Sequence, residues 1–147
     1  MAATKWGQDR KMELLEGIGL FSACTKRELA QVAALTASAE LTAGTVLTRQ
    51  GAAGGLAFVI ASGRAEVTRD GARLATLGPG AVVGELSLID GQPRSATVKA
   101  LTDLEVLEID GRDLNKLIKK VPTVVRKLLE SMAGRLREVD TRAAASM

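Results

Sequence analysis

The sequence contains no histidine, no tyrosine and a single cysteine among its 147 residues. Histidine is the most common general base and a frequent metal ligand, so its absence removes most nucleophile–base pairs, zinc sites and histidine-rich metalloenzymes from consideration. A lone cysteine cannot form an intramolecular disulfide, and we expect Cys24 to be a small buried apolar side chain in a reducing compartment. These absences predict a protein that is not an enzyme, holds no metal and needs no cofactor.

The sequence also lacks a long hydrophobic run. Its longest stretch without a charged residue, Gln50 to Gly63, is broken by glycines and is too short to span a bilayer. Charged residues recur through Met1 to Gly17, unlike the apolar segment of a secretion signal. We therefore expect a cytoplasmic protein with no membrane partner.

The composition, 46% hydrophobic and 25% charged, is typical of one folded domain. The formal charge of +3 raises the question of nucleic acid binding. Its positive excess lies at the C-terminal end, where residues 110–147 carry nine Lys and Arg against five Asp and Glu. These bases alternate with acids and have no aromatic residues among them, which is typical of a solvated helix face. We predict no direct nucleic acid binding by this chain.

Helical patterns occupy the first quarter of the chain. Apolar residues recur at helical spacing from Lys11 to Phe21, with interruptions by glycine. Thr25 and Glu28 then have the spacing of a capping box, in which each side chain accepts a hydrogen bond from the other residue's backbone N–H. We predict N-terminal helices within residues 9–37, the second of them ending at about Thr36.

Residues 38–109 have the pattern of an antiparallel β unit, with short Val, Leu, Ile and Thr runs between Gly, Pro and Asp. Asp70-Gly71 is favoured in two-residue hairpin turns because both positions adopt positive φ, and the register predicted from it pairs Val67 with Leu74. Helices on both sides of this unit make the fold class α+β. The predicted strands are Thr45–Gln50, Leu56–Ala61, Arg64–Arg69, Ala72–Leu77, Ser95–Leu101 and Leu104–Ile109.

Two further helices are predicted over residues 110–140. The first runs from Asp110 to Lys119, and the second begins at Pro122, a residue type favoured at the first helical position. The second helix carries one apolar stripe at i, i+3, i+4 spacing, which predicts packing through a single face. The stripe consists of Val121, Val124, Val125, Leu128, Leu129, Met132, Leu136 and Val139.

One segment, Gly78 to Val98, interrupts the strand pattern and contains the residues that indicate a ligand site. Its Glu85–Ile89 portion predicts a short helical turn that follows a glycine and ends at Gly91. Free N–H groups at the start of such a turn attract an anion, and Arg94 adds a guanidinium suited to phosphate. The carboxylate of Glu85 would repel that anion unless it accepts a hydrogen bond from a hydroxyl of the same ligand. The segment therefore predicts a ligand with both a phosphate and a free hydroxyl.

Two motifs of this segment resemble the phosphate-binding cassette of the cyclic nucleotide-binding domain family, which includes protein kinase A regulatory subunits, cyclic nucleotide-gated channels and catabolite-activator-type regulators. The motifs are Gly84-Glu85-Leu86-Ser87-Leu88 and Pro93-Arg94-Ser95-Ala96-Thr97-Val98. The cassette spans residues 84–97, and the resemblance extends over nearly the whole chain. It implies that residues 1–147 form a single domain, in which an antiparallel, jelly-roll-like β-roll (a double-stranded β-helix) is flanked by N-terminal helices and two C-terminal helices.

The resemblance also implies a role for individual residues. Arg94 binds an exocyclic phosphate oxygen, and Glu85 binds the ribose 2′-hydroxyl of the ligand, which is cAMP or, as a second choice, cGMP. Backbone N–H groups bind the remaining phosphate oxygens. Ser95 stands where relatives place a hydroxyl that contacts phosphate or, as threonine, the guanine amino group. The implied ligand-binding residues are Gly84, Glu85, Leu86, Ser87, Arg94, Ser95 and Ala96, with the backbone donors around Leu86, Ser87 and Ala96.

The sequence departs from the family pattern in several places. Relatives often have an acidic or amide residue at the position of Gly55 and aromatic residues at those of Val83 and Leu114, so we expect altered packing around an intact pocket. Many relatives also cover the base with an aromatic side chain from the last helix, and this chain has none after Phe58. The lid is then expected to be aliphatic. Its candidates are Leu128, Leu129 and Met132, with the stem of Arg135.

Together, the residues and the resemblance predict a regulatory sensor whose last helix closes over the base and acts on a downstream protein. The apolar stripe of that helix is the moving element, a face packed permanently on the barrel, or the seam of a homodimer. Two other functions stay open. One is a regulatory fragment of a DNA-binding transcription regulator, although the seven residues after Asp140 cannot contain a helix-turn-helix domain. The other is a degenerate protein-interaction module that binds no nucleotide.

Overall fold

The computed structural model describes residues 5–127, 129, 130 and 133. Within them, eight strands form two four-stranded sheets, with the orders β1-β8-β3-β6 and β2-β7-β4-β5, and every pair is antiparallel. The predicted α+β fold with an antiparallel β-roll is confirmed. The strands are β1 (Ala37–Leu41), β2 (Val46–Thr48), β3 (Leu56–Ser62), β4 (Ala65–Arg69), β5 (Ala72–Leu77), β6 (Val82–Val83), β7 (Thr97–Ala100) and β8 (Leu104–Asp110).

Helices stand before, within and after the β-roll. They are α1 (Gln8–Glu16), α2 (Lys26–Ala34), α3 (Glu85–Asp90) and α4 (Gly111–Lys120), with a 3-10 turn at Gly19–Phe21. Residues 122–127 begin a further helix at the predicted proline. Across the described residues, none of the helices is long and apolar enough to cross a membrane.

Two helix starts are capped as their sequences require. Thr25 Oγ1 accepts from Glu28 N at 3.2 Å and Glu28 Oε1 accepts from Thr25 N at 2.8 Å, which confirms the predicted capping box of α2. Asp110 accepts from Asp113 N at 2.8 Å and so begins α4 directly after β8. The first C-terminal helix is therefore joined to the sheet without a long loop.

Strand β3 lies between two hydrophobic cores, which explains its continuous apolar sequence. Val59 packs into a core shared with the helices, whereas Phe58 and Ile60 pack into a core between the two sheets. On β8, Leu107 packs into the core shared with the helices, and Val106 packs into the core between the two sheets. The helical side of the first core consists of Leu15, Ile18, Phe21, Leu29, Val32, Ala33, Leu114, Leu117, Val121 and Val124. The helices thus cover one face of the first sheet.

The single cysteine is less enclosed than predicted. Cys24 is half-buried against the helical core, where burial raises the pKa of its thiol. It therefore contributes apolar packing at the edge of the core rather than inside it.

The hairpin between β4 and β5 corrects the predicted register. Asp70 and Gly71 have φ angles of 52° and 80°, as the sequence predicts for a two-residue turn. Val67 nevertheless pairs with Ala75 rather than Leu74, because a β-bulge shifts the register within the hairpin. Leu74 is the extra residue of the bulge and is 53% exposed.

The β-roll also contains two strands that the sequence pattern did not predict. One is β1, whose start at Ala37 extends the roll by one residue; it pairs with β8 along its whole length, up to Leu41 opposite Leu104. The other is β6, two residues long and paired with β3. Helix α2 ends at Ala34 rather than Thr36, and the six predicted strands differ from the observed ones by at most two residues at either end.

Candidate functional site

The short helix α3 lies between two glycines in the left-handed conformation. Gly84 precedes it with a φ of 84°, and Gly91 follows it with a φ of 70°. Residues with a Cβ adopt this conformation at a cost, so the two glycines determine where the helix begins and ends. The helical turn predicted from Glu85 is confirmed, and the chain turns sharply out of β6 to present Glu85 in the first turn.

Arg94 is a buried charged residue beside the start of α3. It is 7% exposed. Its Nη1 donates to the main-chain oxygen of Gly84 at 2.6 Å, and its Nη2 donates to that of Leu56 at 2.5 Å. Two of the five N–H groups of a guanidinium are thereby paired, which offsets part of the cost of burying the charge. The main chain of β3 and of the glycine turn therefore fixes the position of the guanidinium.

The backbone of Arg94 is held as firmly as its side chain. Gly51 N donates to Arg94 O at 2.8 Å, and Arg94 N donates to Ala52 O at 2.9 Å. Next to it, Arg69 Nε donates to Ser95 O at 3.0 Å. The loop that precedes β3 and the end of β4 together hold the second cassette motif in place.

A cavity of about 250 Å³ opens beside Arg94. This volume is just below the range of about 300–1,000 Å³ for small-molecule sites. Leu86 follows Glu85 in α3, but its side chain lies outside the described residues. The structure brings the other predicted residues together around this cavity: Gly84, Glu85, Ser87, Arg94, Ser95 and Ala96.

Charges of opposite sign line the cavity. Burial lowers the pKa of the Arg94 guanidinium, and the nearby Glu85 carboxylate partly offsets this shift by favouring the charged form. An arginine begins from so high a pKa that it stays protonated at neutral pH. Among the described residues, no group of three or more His, Cys, Asp or Glu could hold a metal ion. The cavity therefore offers a positive charge beside a carboxylate, which fits an anion that also carries a hydroxyl.

Sequence reasoning missed the wall contributed by the second sheet. Thr48 pairs with Val98, and Val98 pairs with Val67, so the three form a row across β2, β7 and β4. Thr48 is 6% exposed, and its Oγ1 donates to Ala96 O at 3.2 Å. Alternation along each strand marks these positions as inward, but only the strand pairing shows that they share a row. The missed lining residues are Thr48, Val67, Leu77 and Val98 of the second sheet, and Val82 and Val83 of β6 in the first sheet.

Two of the positions at which the sequence departs from the family pattern lie in the hydrophobic cores, and one of them, Val83, also lines the cavity. Val83 and Leu114 are buried, at 4% and 6% exposed, in the two cores.

At the start of the predicted apolar stripe of the last helix, Val121 and Val124 are fully buried against the helical core. Leu129, a predicted lid residue, is 61% exposed and does not line the cavity. Outside the described residues lie Leu128, Met132, Arg135, Leu136 and Val139, so the lid stays a prediction.

Comparison with known proteins agrees with this geometry. A family model described as the cyclic nucleotide-binding domain matches residues 38–121. A cyclic AMP receptor protein of Thermus thermophilus is 38% identical over 96 residues, which are 62% of this chain and 44% of that protein. A putative potassium channel protein of Rhodopseudomonas palustris is 33% identical over 121 residues, 80% of this chain and 29% of that protein. The chain thus spans less than half the length of either relative.

A solved structure supports the same grouping. The crystal structure of the Thermus thermophilus catabolite activator protein superposes with a TM-score of 0.79 and 32% sequence identity. The match covers 86% of this chain and 62% of that one. Since the β-roll alone is a smaller part of the chain, the match extends beyond the roll.

Proposed function

This chain belongs to the cyclic nucleotide-binding domain family, and we propose that it is a non-enzymatic sensor module that binds cAMP, in preference to cGMP, in the cavity beside Arg94. The preference for cAMP is supported by the Thermus thermophilus relative, whose name is cyclic AMP receptor protein. The family match covers more than half of the chain.

The observation that carries the proposal is a buried guanidinium that lines a cavity of about 250 Å³. Arg94 is held by Leu56 O and Gly84 O, so its position does not depend on the ligand. An anion that enters the cavity meets this charge without a large rearrangement, and charge-assisted hydrogen bonds are the strong ones. In the proposed complex, Arg94 binds a phosphate oxygen, and backbone N–H groups around Leu86, Ser87 and Ala96 bind the others.

The second polar anchor is Glu85, which we assign to the ribose 2′-hydroxyl. A carboxylate accepts hydrogen bonds and donates none when ionised, so its partner must be a donor such as a hydroxyl. Its place on the cavity wall, opposite in charge to Arg94, suits a ligand that carries a phosphate at one end of a sugar and a free hydroxyl beside it. Ser95, which also lines the cavity, adds a hydroxyl near the phosphate side.

We assign the less polar part of the ligand to the wall formed by the row of Thr48, Val98 and Val67. Branched aliphatic side chains give a flat, largely apolar wall, and most ligand sites combine such walls with few polar anchors. The sugar and base of a nucleotide would lie along this wall, with the phosphate at the cassette.

Calorimetric titration with cAMP and with cGMP tests the proposal. We expect heat with cAMP, and we expect Arg94→Ala to weaken binding by about tenfold to a hundredfold, the equivalent of a charge-assisted hydrogen bond. Arg73→Ala is the matched control, because Arg73 is 61% exposed and pairs with Glu66 on the surface. Thermal unfolding of each variant verifies that it is folded. No heat from the wild-type protein with either nucleotide would refute the proposal and favour a protein-interaction module.

We further propose that the C-terminal helix responds to the ligand and passes the signal to a downstream protein, or to a second copy of the chain. A ligand shifts a helix only by the difference in its affinity for the two positions. Hydrogen exchange with and without cAMP measures this: greater protection of residues 122–140 with ligand is expected, and equal protection would contradict it. Sedimentation at several protein concentrations reports whether the helix forms a homodimer.

A second candidate, the regulatory part of a DNA-binding transcription regulator, is favoured by the likeness to the Thermus thermophilus catabolite activator protein. Both candidates have the same nucleotide site. They differ in the domain or partner that responds when the nucleotide binds. The reading frame beyond Met147 distinguishes them, because a helix-turn-helix domain encoded there would identify the output as DNA binding.

A further inference from the structure

We infer that Gly54 is a positioning residue for the phosphate side of the site, because its missing side chain leaves the space in which Arg94 and Ser87 lie. The inference rests on the proposed function and adds to it a residue that makes no contact of its own with the nucleotide. Gly54 belongs to the loop before β3 and lies next to the guanidinium of Arg94.

The geometry around Gly54 leaves too little room for a methyl group unless its neighbours move by a few tenths of an ångström. A Cβ added there would lie 3.0 Å from Arg94 Cζ, 3.1 Å from Arg94 Nε and 3.0 Å from Ser87 Cβ. Carbon atoms in favourable contact are about 3.5–4.0 Å apart, so each of these distances is too short. Gly54 has no positive φ, so its backbone conformation itself is open to alanine. The requirement at this position is therefore space.

The two neighbours cannot easily withdraw. The Arg94 guanidinium is pinned by its hydrogen bonds to Gly84 O and Leu56 O, at 2.6 and 2.5 Å. The Cβ of Ser87 is attached directly to the main chain of α3, so it moves only if the helix moves. We therefore expect an alanine at position 54 to shift one of these two cavity-lining residues by a few tenths of an ångström.

The loop that carries Gly54 cannot easily withdraw either. Gly51 N donates to Arg94 O at 2.8 Å, and Arg94 N donates to Ala52 O at 2.9 Å. Moving the loop outward would break these hydrogen bonds and shift the backbone of Arg94 with it. Overpacking at such a fixed contact forces side chains out of their preferred rotamers.

The next residue provides a matched control. A Cβ added at Gly55 has no atom within 4 Å in the described structure, and Gly55 also has no positive φ. Gly54→Ala and Gly55→Ala therefore make the same chemical change in adjacent residues of one loop, and they differ in whether the methyl group meets Arg94 and Ser87.

The experiment has a structural arm and a binding arm. Crystal structures of the wild-type protein and both variants without ligand show whether the guanidinium keeps its hydrogen bonds to the oxygens of Leu56 and Gly84. Calorimetry with cAMP gives the affinities, and thermal unfolding gives the stabilities. For Gly54→Ala we expect at least one of these hydrogen bonds to be lost and binding to weaken on the order of tenfold, about one charge-assisted hydrogen bond. Gly55→Ala is expected to match the wild type in both arms.

The outcomes separate this inference from the proposed function. If the wild-type protein binds no cyclic nucleotide, the proposed function fails, and the inference about binding fails with it. If the wild type binds and Gly54→Ala binds equally well, or if both variants weaken binding equally, the inference alone is wrong. If Gly54→Ala does not fold, the same substitution is made together with Arg94→Ala and Ser87→Gly, which removes both side chains that the methyl group meets; recovery of folding there supports the inference, and continued failure overturns it.

Discussion

Thr123 Oγ1 donates a hydrogen bond to Glu28 Oε2 at 2.9 Å, although the two residues are 95 positions apart in the sequence. The other carboxylate oxygen of Glu28 accepts from Thr25 N in the capping box. One side chain therefore holds the start of α2 and the start of the helix at residues 122–127 together.

This carboxylate gives the protein an acid-sensitive contact. The hydrogen bond from Thr25 N, and then that from the Thr123 hydroxyl, hold the pKa of Glu28 below its ordinary value. A lowered pKa in the folded state stabilises the protein above the ordinary glutamate pKa of about 4.3, and this stabilisation is lost as pH falls through the folded value. We expect Glu28→Gln to be less stable than the wild type at neutral pH, with a difference that shrinks in acid.

Urea unfolding at a series of pH values measures this difference. Glu13→Gln removes a carboxylate from an exposed position of α1 and is the control for charge alone. Curves of unfolding free energy against pH that stay parallel for wild type and Glu28→Gln would show that the contact does not contribute.

Gly84 should tolerate alanine far less well than Gly91, although both are left-handed ends of α3. An alanine at Gly91 meets nothing within 4 Å and costs only the backbone conformation, about 1–2 kcal/mol. An alanine at Gly84 has the same backbone cost and also overlaps Arg94 Nη1. We expect Gly84→Ala to lower the unfolding free energy further and to weaken cAMP binding, by urea unfolding and calorimetry. If both variants lose the same unfolding free energy, the Arg94 side chain moves aside at little cost.

The role proposed for Glu85 predicts a specific ligand preference. The wild-type protein should bind cAMP more tightly than its 2′-deoxy analogue by about tenfold or more, the equivalent of a hydrogen bond to a charged group. Glu85→Ala should bind the two ligands with similar affinity, because the partner of the hydroxyl is gone. Competition titrations measure both ratios, and a preference that survives Glu85→Ala places the hydroxyl elsewhere.

Leu107 should be among the costliest leucines to truncate. It is 1% exposed on β8, where it joins the first sheet to the helical core. Leu107→Ala is expected to cost about 2–5 kcal/mol of unfolding free energy, measured in urea. Leu74→Ala, at a position 53% exposed, should change it by less than about 0.5 kcal/mol. Similar costs at both positions would contradict the assignment of the core.

Features that depend on neighbours in the sequence were predictable. The capping box of α2, the glycine boundaries of α3 and the turn at Asp70 each depend on residues within a few positions of one another. The cassette was recognisable for the same reason, because its residues lie within a single short segment. Local chemistry was sufficient for the capping box, the glycine boundaries and the turn, whereas the cassette was identified by its resemblance to a family motif.

Features that depend on distant partners were not predictable. The sequence of β1 has no clear apolar alternation, and the strand forms because β8 pairs with it. The pairing of Arg94 with Leu56 O joins residues 38 positions apart, and no spacing rule indicates it. Thr48 became part of the site wall only through the register of β2 with β7. In each case, the deciding interaction is a long-range backbone contact.

The bulge at Leu74 has a consequence for how copies of this molecule meet. Strand β5 is one of the two outer strands of the second sheet, and five of its six residues are exposed. A long flat strand in that position offers its free N–H and C=O groups to any other extended chain and seeds aggregation. The bulge bends the strand, breaks the regular spacing of those groups and stands next to the charged Arg73. We therefore expect this edge to resist β-sheet addition.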